Sequence, residues 1–239
     1  MLENSRYFFI LSLLLFIFGV TKSTNADRLY DFDTKIINGK IIDGTGNPWF
    51  TGDVGIKDGR ITKIGNLENS HAKNIIDASE LIVSPGFIDP HTHALRGIFD
   101  VPNAESSLLQ GITTLTEGND GASPYPIDEH YAAISERKIS PNWSTFVGHG
   151  TIRRKVMGLA DRRPTRNEME QMKELLHKAM HDGALGISTG LFYVPGSFAE
   201  TDEIIELSKV VATYGGIYIS HIREETSKVI DSVNETIRI

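Results

Sequence analysis

The strongest structural signal in this chain is the segment Val83-Ser84-Pro85-Gly86-Phe87-Ile88-Asp89-Pro90-His91-Thr92-His93. A Pro-Gly turn leads into a short apolar run, which ends at two histidines spaced two positions apart. Residues i and i+2 of an extended strand point to the same side, so His91 and His93 can reach one ion together. Imidazole is a common ligand of zinc and related divalent metals. At the carboxyl end of a strand, such a pair indicates the active-site mouth of an α/β barrel.

After Pro85 the sequence alternates β-branched strands with amphipathic helices. Strands are predicted to end at His91, Glu117, His149, Gly190 and His221. Helices are predicted over 165–181 and 201–214, and a further helical pattern covers 226–239. This alternation is typical of parallel βα units. A closed (β/α)8 barrel needs about eight such units. The pattern therefore predicts an α/β fold over residues 85–239, either as an open sheet or as an incomplete barrel.

Residues 27–84 read as short strands joined by tight turns. Asn38-Gly39 and Asp58-Gly59 each separate two apolar runs, and this pattern predicts a hairpin at both places. Together the strands indicate a small β-sandwich subdomain. We expect strands from outside this sequence to complete the sandwich.

Residues 1–26 are predicted to be a signal peptide. Arg6 precedes an uninterrupted apolar run over 7–20, and Thr24-Asn25-Ala26 offers a cleavage site. The run is shorter than the roughly 20 residues that span a bilayer comfortably. An uncleaved membrane anchor is the alternative. We expect an exported protein, periplasmic or secreted, without stable membrane association after cleavage.

Composition narrows the class of protein. The chain has no cysteine, so disulfides and thiolate metal sites are excluded. Its net charge of -7 gives no support for a nucleic-acid partner. With 40% hydrophobic and 23% charged residues, it is typical of a globular protein.

Candidate metal ligands follow several of the predicted strands. They are His91, His93, Glu117, Asp120 and His221. Because strand ends of a barrel converge on one mouth, these distant residues can share a metal there. Other roles remain open: Asn-Asp-Gly is a good turn that Asp120 could simply cap, and His221 could be a core histidine.

Six segments carry a resemblance to a known family. They are IINGKIIDGTG, PGFIDPHTH, GITTLTEGNDG, FVGHGTIRRKVMG, GALGISTGLFYVPG and YISHIREE. They resemble the amidohydrolase superfamily and, within it, its N-acyl-D-amino-acid deacylase (D-aminoacylase) branch. The resemblance implies a small N-terminal β-sandwich plus a (β/α)8 barrel, of which about the first five units are present. It also implies hydrolysis of small N-acyl D-amino acids, usually with zinc.

The resemblance assigns roles to the candidate ligands. His91 and His93 match the ligands after strand one, and His221 matches the ligand after strand five. Either Glu117 or Asp120 would bridge one or two zinc ions. The family often has a cysteine where this chain has Asp120, so the identity of the bridge stays open.

The same comparison points to three substrate-binding residues. Tyr193 matches a position that contacts the substrate carbonyl. Arg223 could pair with a substrate carboxylate, although an ion pair with an acid of this chain is an equal alternative. His149 could form the pocket wall together with Arg153, or be a structural histidine.

The resemblance also leaves positions unfilled. The family brings one more histidine from strand six and a proton-transferring aspartate from strand eight, both expected beyond Ile239. No catalytic residue is therefore assigned. An inactive, truncated fragment with weak metal binding is the first alternative. A cyclic-amide hydrolase of the same superfamily is the second, weakened because GISTGLFY contains no lysine.

Overall fold

The computed structural model describes residues 30–239, so the predicted signal peptide lies outside the described residues. The chain divides into two compact units, Met1–Pro85 and Gly86–Ile239. Among the helices of residues 30–239, none is both long enough and apolar enough to cross a membrane.

The first unit contains one five-stranded sheet. Its strands are β1 (Phe32–Ile41), β2 (Phe50–Lys57), β3 (Arg60–Gly65), β4 (Ala72–Asp77) and β5 (Ile82–Val83). The order is β3-β2-β1-β4, with β5 also pairing with β1. The pairs β1–β2 and β2–β3 are antiparallel, whereas β4 and β5 run parallel to β1. A second layer of the predicted sandwich stays a prediction.

The two predicted hairpins have different outcomes. The turn at Asp58-Gly59 is confirmed, since β2 and β3 pair on either side of it. Both of its residues have positive φ, 50° and 71°, as the tight hairpin turn requires.

The hairpin predicted at Asn38-Gly39 is wrong, because β1 continues through both residues. Asn38 has a φ of 64°, and the register between β1 and β2 shifts at this point, which is the signature of a β-bulge. The amide N–H of Asn38 donates to Oδ1 of Asp53 at 3.1 Å, and its side-chain amide donates to Oδ1 of Asp77 at 3.0 Å. A Cβ on Gly39 would lie 2.5 Å from Cγ2 of Val83, so any larger residue would require the Val83 side chain to move.

The second unit is built on parallel strands. They are β6 (Phe87–Asp89), β7 (Ile112–Glu117), β8 (Asn142–Thr145), β9 (Val147–Gly148), β10 (Gly186–Gly190) and β11 (Ile217–His221). They pair in chain order as β6-β7-β8 and β9-β10-β11. Phe146 alone separates β8 from β9, so these two are halves of one extended segment. The five predicted strands are thereby confirmed, in the succession of a barrel wall.

Helices connect these strands. They are α1 (Glu105–Leu108), α2 (Ile127–Arg137), α3 (His149–Met157), α4 (Arg166–His181), α5 (Thr201–Ala212) and α6 (Val229–Arg238). The predicted start of α4 is confirmed by a capping box. The Thr165 hydroxyl accepts from the N–H of Glu168, and the Glu168 carboxylate accepts from the N–H of Thr165. Met172 and Leu176 of α4 are fully buried against Ile187 of β10 and Leu207 of α5 in one core.

Candidate metal centre

The carboxyl ends of β6, β7 and β11 carry the predicted ligands. Glu117 and His221 are the last residues of β7 and β11, His91 and His93 follow β6, and Asp120 follows β7. Because these strands are parallel, their carboxyl ends lie at the same edge.

A tight turn brings Asp120 to this edge. Asp120 has a φ of 57°, a left-handed conformation that aspartate tolerates better than most residues. The hydroxyl of Ser188 in β10 accepts from the N–H of Gly121 at 3.1 Å and donates to the carbonyl of Gly118 at 2.5 Å. A Cβ on Gly118 would lie 2.2 Å from the carbonyl oxygen of Phe146. Contacts with Ser188 of β10 and with Phe146, between β8 and β9, therefore fix the conformation of the turn.

Three histidines converge on the Asp120 carboxylate. Its Oδ1 lies 3.5 Å from Nε2 of His91 and 3.6 Å from Nδ1 of His221, and its Oδ2 lies 3.3 Å from Nε2 of His93. Donor atoms of His91, His93 and Asp120 all lie within 4.8 Å of one another. The structure thus brings together four of the five predicted ligands.

The unsatisfied Asp120 carboxylate tests whether a metal fits here. Its Oδ1 is buried and has no hydrogen-bond partner among residues 30–239. A buried carboxylate oxygen without a partner is costly, and the distances to the imidazoles exceed the roughly 2.7–2.9 Å of a charge-assisted hydrogen bond. Imidazole nitrogens and a carboxylate are the donors that zinc binds in proteins. His91, His93 and Asp120 therefore fit a zinc ion, and His221 lies against the same carboxylate from the end of β11.

Glu117, the fifth predicted ligand, is engaged elsewhere. It is buried, and its Oε2 accepts from the N–H of Leu95 at 3.0 Å and from the hydroxyl of Thr92 at 3.4 Å. The side-chain amide of Asn119 also donates to the carbonyl of Thr92 at 3.1 Å. These three hydrogen bonds hold the segment that carries His91 and His93. Of the two bridge candidates, only Asp120 lies against the histidines.

Tyr193 lies beside the metal-ligand candidates. Its ring centroid is 4.7 Å from that of His221, and its side chain lines a cavity of about 1070 Å³. His93, Glu117 and Asp120 also line this cavity. The structure therefore places Tyr193 where a molecule at the histidine cluster would meet it.

Arg223 does not line that cavity. Its Nε and Nη2 donate to the two carboxylate oxygens of Glu235 at 3.0 and 2.8 Å. Further bonds run to the carbonyls of Ser197 and Ala199. Burial opposes the ionisation of Glu235, but the hydrogen bonds from Arg223 and Thr201 outweigh it and lower the pKa of this carboxyl. The geometry supports the alternative ion pair and not the predicted substrate contact.

His149 is likewise directed away from the cavity. It is fully buried, and its Nε2 lies 2.8 Å from Oε1 of Glu203 in α5. The Nε of Arg153, also fully buried, donates to the same oxygen at 3.1 Å. This network joins α3 to α5. The predicted contact of His149 with substrate finds no support, and the structural alternative fits the geometry. Because Glu203 is distant in sequence, no local pattern pointed to it.

Three basic residues with no predicted role also line the cavity: Arg96, Arg154 and Lys155. Their positions in the sequence, close to the predicted strand ends, were the available indication of this role. Arg96 follows His93 by three residues, and Arg154 and Lys155 lie in the helix that starts at the end of β9.

Comparisons with known proteins agree with this architecture. The amidohydrolase family profile matches residues 74–231. The chain is 36% identical to a D-aminoacylase of Alcaligenes xylosoxydans xylosoxydans over 87% of this chain and 48% of that protein. It is 34% identical to an N-acyl-D-aspartate deacylase of the same organism, over 91% and 49%.

A solved structure shows the same relationship. The N-acyl-D-glutamate deacylase of Bordetella bronchiseptica, crystallised with zinc and a phosphonate inhibitor, superposes with a TM-score of 0.81 at 36% identity. The match covers 87% of this chain and 48% of that one, so the chain spans about half the length of these relatives. With an α/β fold that matches theirs, the chain belongs to the amidohydrolase family.

Proposed function

We propose that this chain acts in the zinc-dependent hydrolysis of linear amides, with N-acylated D-amino acids as substrates. The observation that carries the proposal is the convergence of His91, His93 and His221 on Asp120, whose Oδ1 is buried without a hydrogen-bond partner among residues 30–239. The relatives supply the substrate class, because they are named for D-aminoacylase and for N-acyl-D-aspartate and N-acyl-D-glutamate deacylase.

In this proposal, the three histidines and Asp120 hold the metal. The chemistry that zinc supplies when bound is Lewis-acid polarisation of a carbonyl oxygen, together with ionisation of water at neutral pH. The two oxygens of Asp120 face different histidines: Oδ1 faces His91 and His221, and Oδ2 faces His93. Asp120 would therefore share with these histidines either a single zinc ion or two.

Two further residues would act on the site without holding the ion. Glu117 orients the histidine-bearing segment through the N–H of Leu95. Tyr193, against His221 and facing the cavity, would donate its hydroxyl proton in a hydrogen bond to the acyl carbonyl. A proton-transferring aspartate remains unassigned among the described residues.

The cellular location is a separate part of the proposal. The basic residue, apolar run and small residues of segment 1–26 support export to the periplasm or beyond the cell. Amino-terminal sequencing of the protein recovered from its native host would test this, because cleavage after Ala26 is expected.

Metal binding and turnover, measured together, test the proposed activity. We expect the full chain to bind zinc and to hydrolyse members of a panel of N-acetyl-D-amino acids, with acidic, polar and apolar side chains, in preference to their L-enantiomers. His91→Ala should abolish turnover. His181→Ala is the matched control, since the side chain of His181 is 87% exposed and far from the site in sequence. Zinc binding without turnover would instead favour the inactive-fragment alternative, and absence of zinc binding would contradict the proposed metal centre.

A further inference from the structure

Acidic and basic residues both line the cavity next to the metal-ligand candidates. Its acidic residues are Glu117, the last residue of β7, and Asp120, which follows β7 and lies against the histidines. The Glu117 carboxylate is buried and accepts two hydrogen bonds, and Asp120 faces the histidines. Neither acid is available to the remaining wall. The other charged residues of the lining, apart from His93, are Arg96, Arg154 and Lys155.

These three cations have no acidic partner in the part of the chain that the structure describes. No carboxylate lies within 4.0 Å of Arg96, Arg154 or Lys155 there, although ion pairs are frequent elsewhere in the same unit, for example between Arg162 and Glu168. Lys155 lies 5.1 Å from the ring centroid of Tyr125. Cations that line a cavity without a counter-charge attract negatively charged ligands to it.

Of the three cations, Arg154 is the one with a hydrogen bond to the Tyr193 segment in the described part of the chain. Its Nη2 donates one hydrogen bond, at 3.4 Å, to the carbonyl of Val194, the residue that follows Tyr193. Tyr193 in turn lies against His221. A guanidinium has five N–H donors in a planar fork that matches a carboxylate. Arg154 therefore retains donors for a ligand beside Tyr193.

The number and placement of the cations bear on the substrate. Every N-acyl amino acid has one α-carboxylate, which a single cationic group can bind. Here Arg96 lies after β6, while Arg154 and Lys155 lie on α3, so the basic groups come from two separate segments of the cavity lining. A ligand with two carboxylates would offer a counter-charge to both segments, whereas an apolar side chain would leave one of them without a counter-charge.

We propose that this cavity selects N-acyl amino acids whose side chain is itself acidic, and that Arg154 binds the side-chain carboxylate. The inference rests on the proposed function for the N-acyl amino acid scaffold. Similarity to relatives does not make the choice, because the D-aminoacylase and the N-acyl-D-aspartate deacylase are nearly equally identical to this chain, at 36% and 34%.

A binding measurement tests the inference independently of turnover. The full chain, with and without zinc, is titrated calorimetrically with N-acetyl-D-glutamate and with N-acetyl-D-glutamine, which differ only in the side-chain charge. We expect the acidic compound to bind about tenfold more tightly, the scale of one charge-assisted hydrogen bond. That advantage should shrink as sodium chloride is raised from about 50 to about 500 mM.

Two variants assign the effect to a residue. Arg154→Gln should remove the advantage of the acidic compound, with a smaller loss of affinity for the neutral one. Arg166→Gln, an equal charge change at an exposed position on α4, should retain the advantage. Circular dichroism confirms that both variants are folded.

The remaining outcomes also decide the question. Equal affinity for the two compounds, or no binding of either, would overturn the inference. So would an advantage that survives in Arg154→Gln. Equal hydrolysis of both compounds would overturn only the acidic preference and leave the proposed function intact, whereas tight acidic binding without any hydrolysis would contradict the proposed function alone.

Discussion

The carboxylate of Asp120 lies 3.3 Å from Nε2 of His93, although the two residues follow different strands of the sheet. His93 comes after β6 and Asp120 comes after the neighbouring strand β7. Parallel pairing of these strands places both residues at the same edge, and the left-handed turn at Asp120, with a φ of 57°, directs its carboxylate to the imidazole. The site thus depends on a backbone conformation as much as on residue types.

Asp120→Asn should weaken zinc binding by about 100-fold, the upper part of the range seen when groups around a metal are altered. Asparagine tolerates the left-handed conformation, so the change removes charge with little backbone strain. Zinc affinity is measured by competition with a chromophoric chelator. The control is Asp161→Asn, an exposed aspartate in another part of the same unit. Unchanged affinity in Asp120→Asn would exclude Asp120 as a ligand.

Glu117→Ala should lower the free energy of unfolding by about 1–3 kcal/mol, because it leaves the N–H of Leu95 without its acceptor. Zinc affinity should also fall, since the segment bearing His91 and His93 loses its anchor. Glu117→Gln keeps an acceptor oxygen and should restore most of both properties. Urea denaturation and zinc titration of both variants measure this. If the glutamine variant were as defective in zinc binding as the alanine variant, the charge of Glu117 would be needed, as for a direct ligand.

Glu203→Ala should lower the free energy of unfolding by about 3–5 kcal/mol, because the buried Arg153 loses its counter-charge. His149 loses its partner as well. Denaturant unfolding measures the loss. Glu174→Ala, at an exposed position on α4, is the control and should change stability by less than about 0.5 kcal/mol. A similar small effect for both variants would show that the network contributes little.

The Arg162–Glu168 pair should make stability depend on acidic pH. Hydrogen bonds from Arg162 and from the N–H of Thr165 lower the pKa of Glu168 from 4.5 to about 2. The unfolded state therefore binds more protons between these two pH values, and stability falls as the pH falls through that window. Above it, the contribution is fully present.

Glu168→Gln tests this dependence. Urea midpoints of the zinc-free protein are compared at about pH 6, above the range between the two pKa values, and at about pH 3, within that range. The variant should lose less stability on acidification than the unmodified chain. Glu174→Gln, at an exposed position on the same helix, should follow the unmodified chain. Parallel loss in all three proteins would show that the Glu168 pair does not contribute to acid sensitivity.

Local patterns were sufficient where local physics decides the structure. The capping residues of α4 and the strand–helix alternation predicted elements that the structure contains. The turn at Asp58-Gly59 was predicted correctly, but the same dipeptide logic failed at Asn38-Gly39. There, the side chains of Asp53 and Asp77 bind Asn38 and stabilise a bulge. Those partners are distant in the chain, so a local turn rule does not include them.

In the candidate site, too, local sequence patterns predicted some features and contacts between distant residues decided others. Sequence patterns indicated His91, His93, Glu117, Asp120 and His221 as one group, because strand ends converge. They did not distinguish Asp120 from Glu117 as the neighbour of the histidines. That distinction arose from contacts, since the N–H of Leu95 and the hydroxyl of Thr92 engage Glu117.

The sequence by itself determined the α/β class, the family and the strand ends that carry metal-binding side chains, since these follow from periodicity and from short motifs. Tertiary structure alone decided which of those side chains face one another. It directed Arg223 to Glu235 and His149 to Glu203, and it left Arg154 facing the cavity. The physical reason is that hydrogen bonds and ion pairs act over about 3 Å, and only the folded chain brings distant residues within that distance.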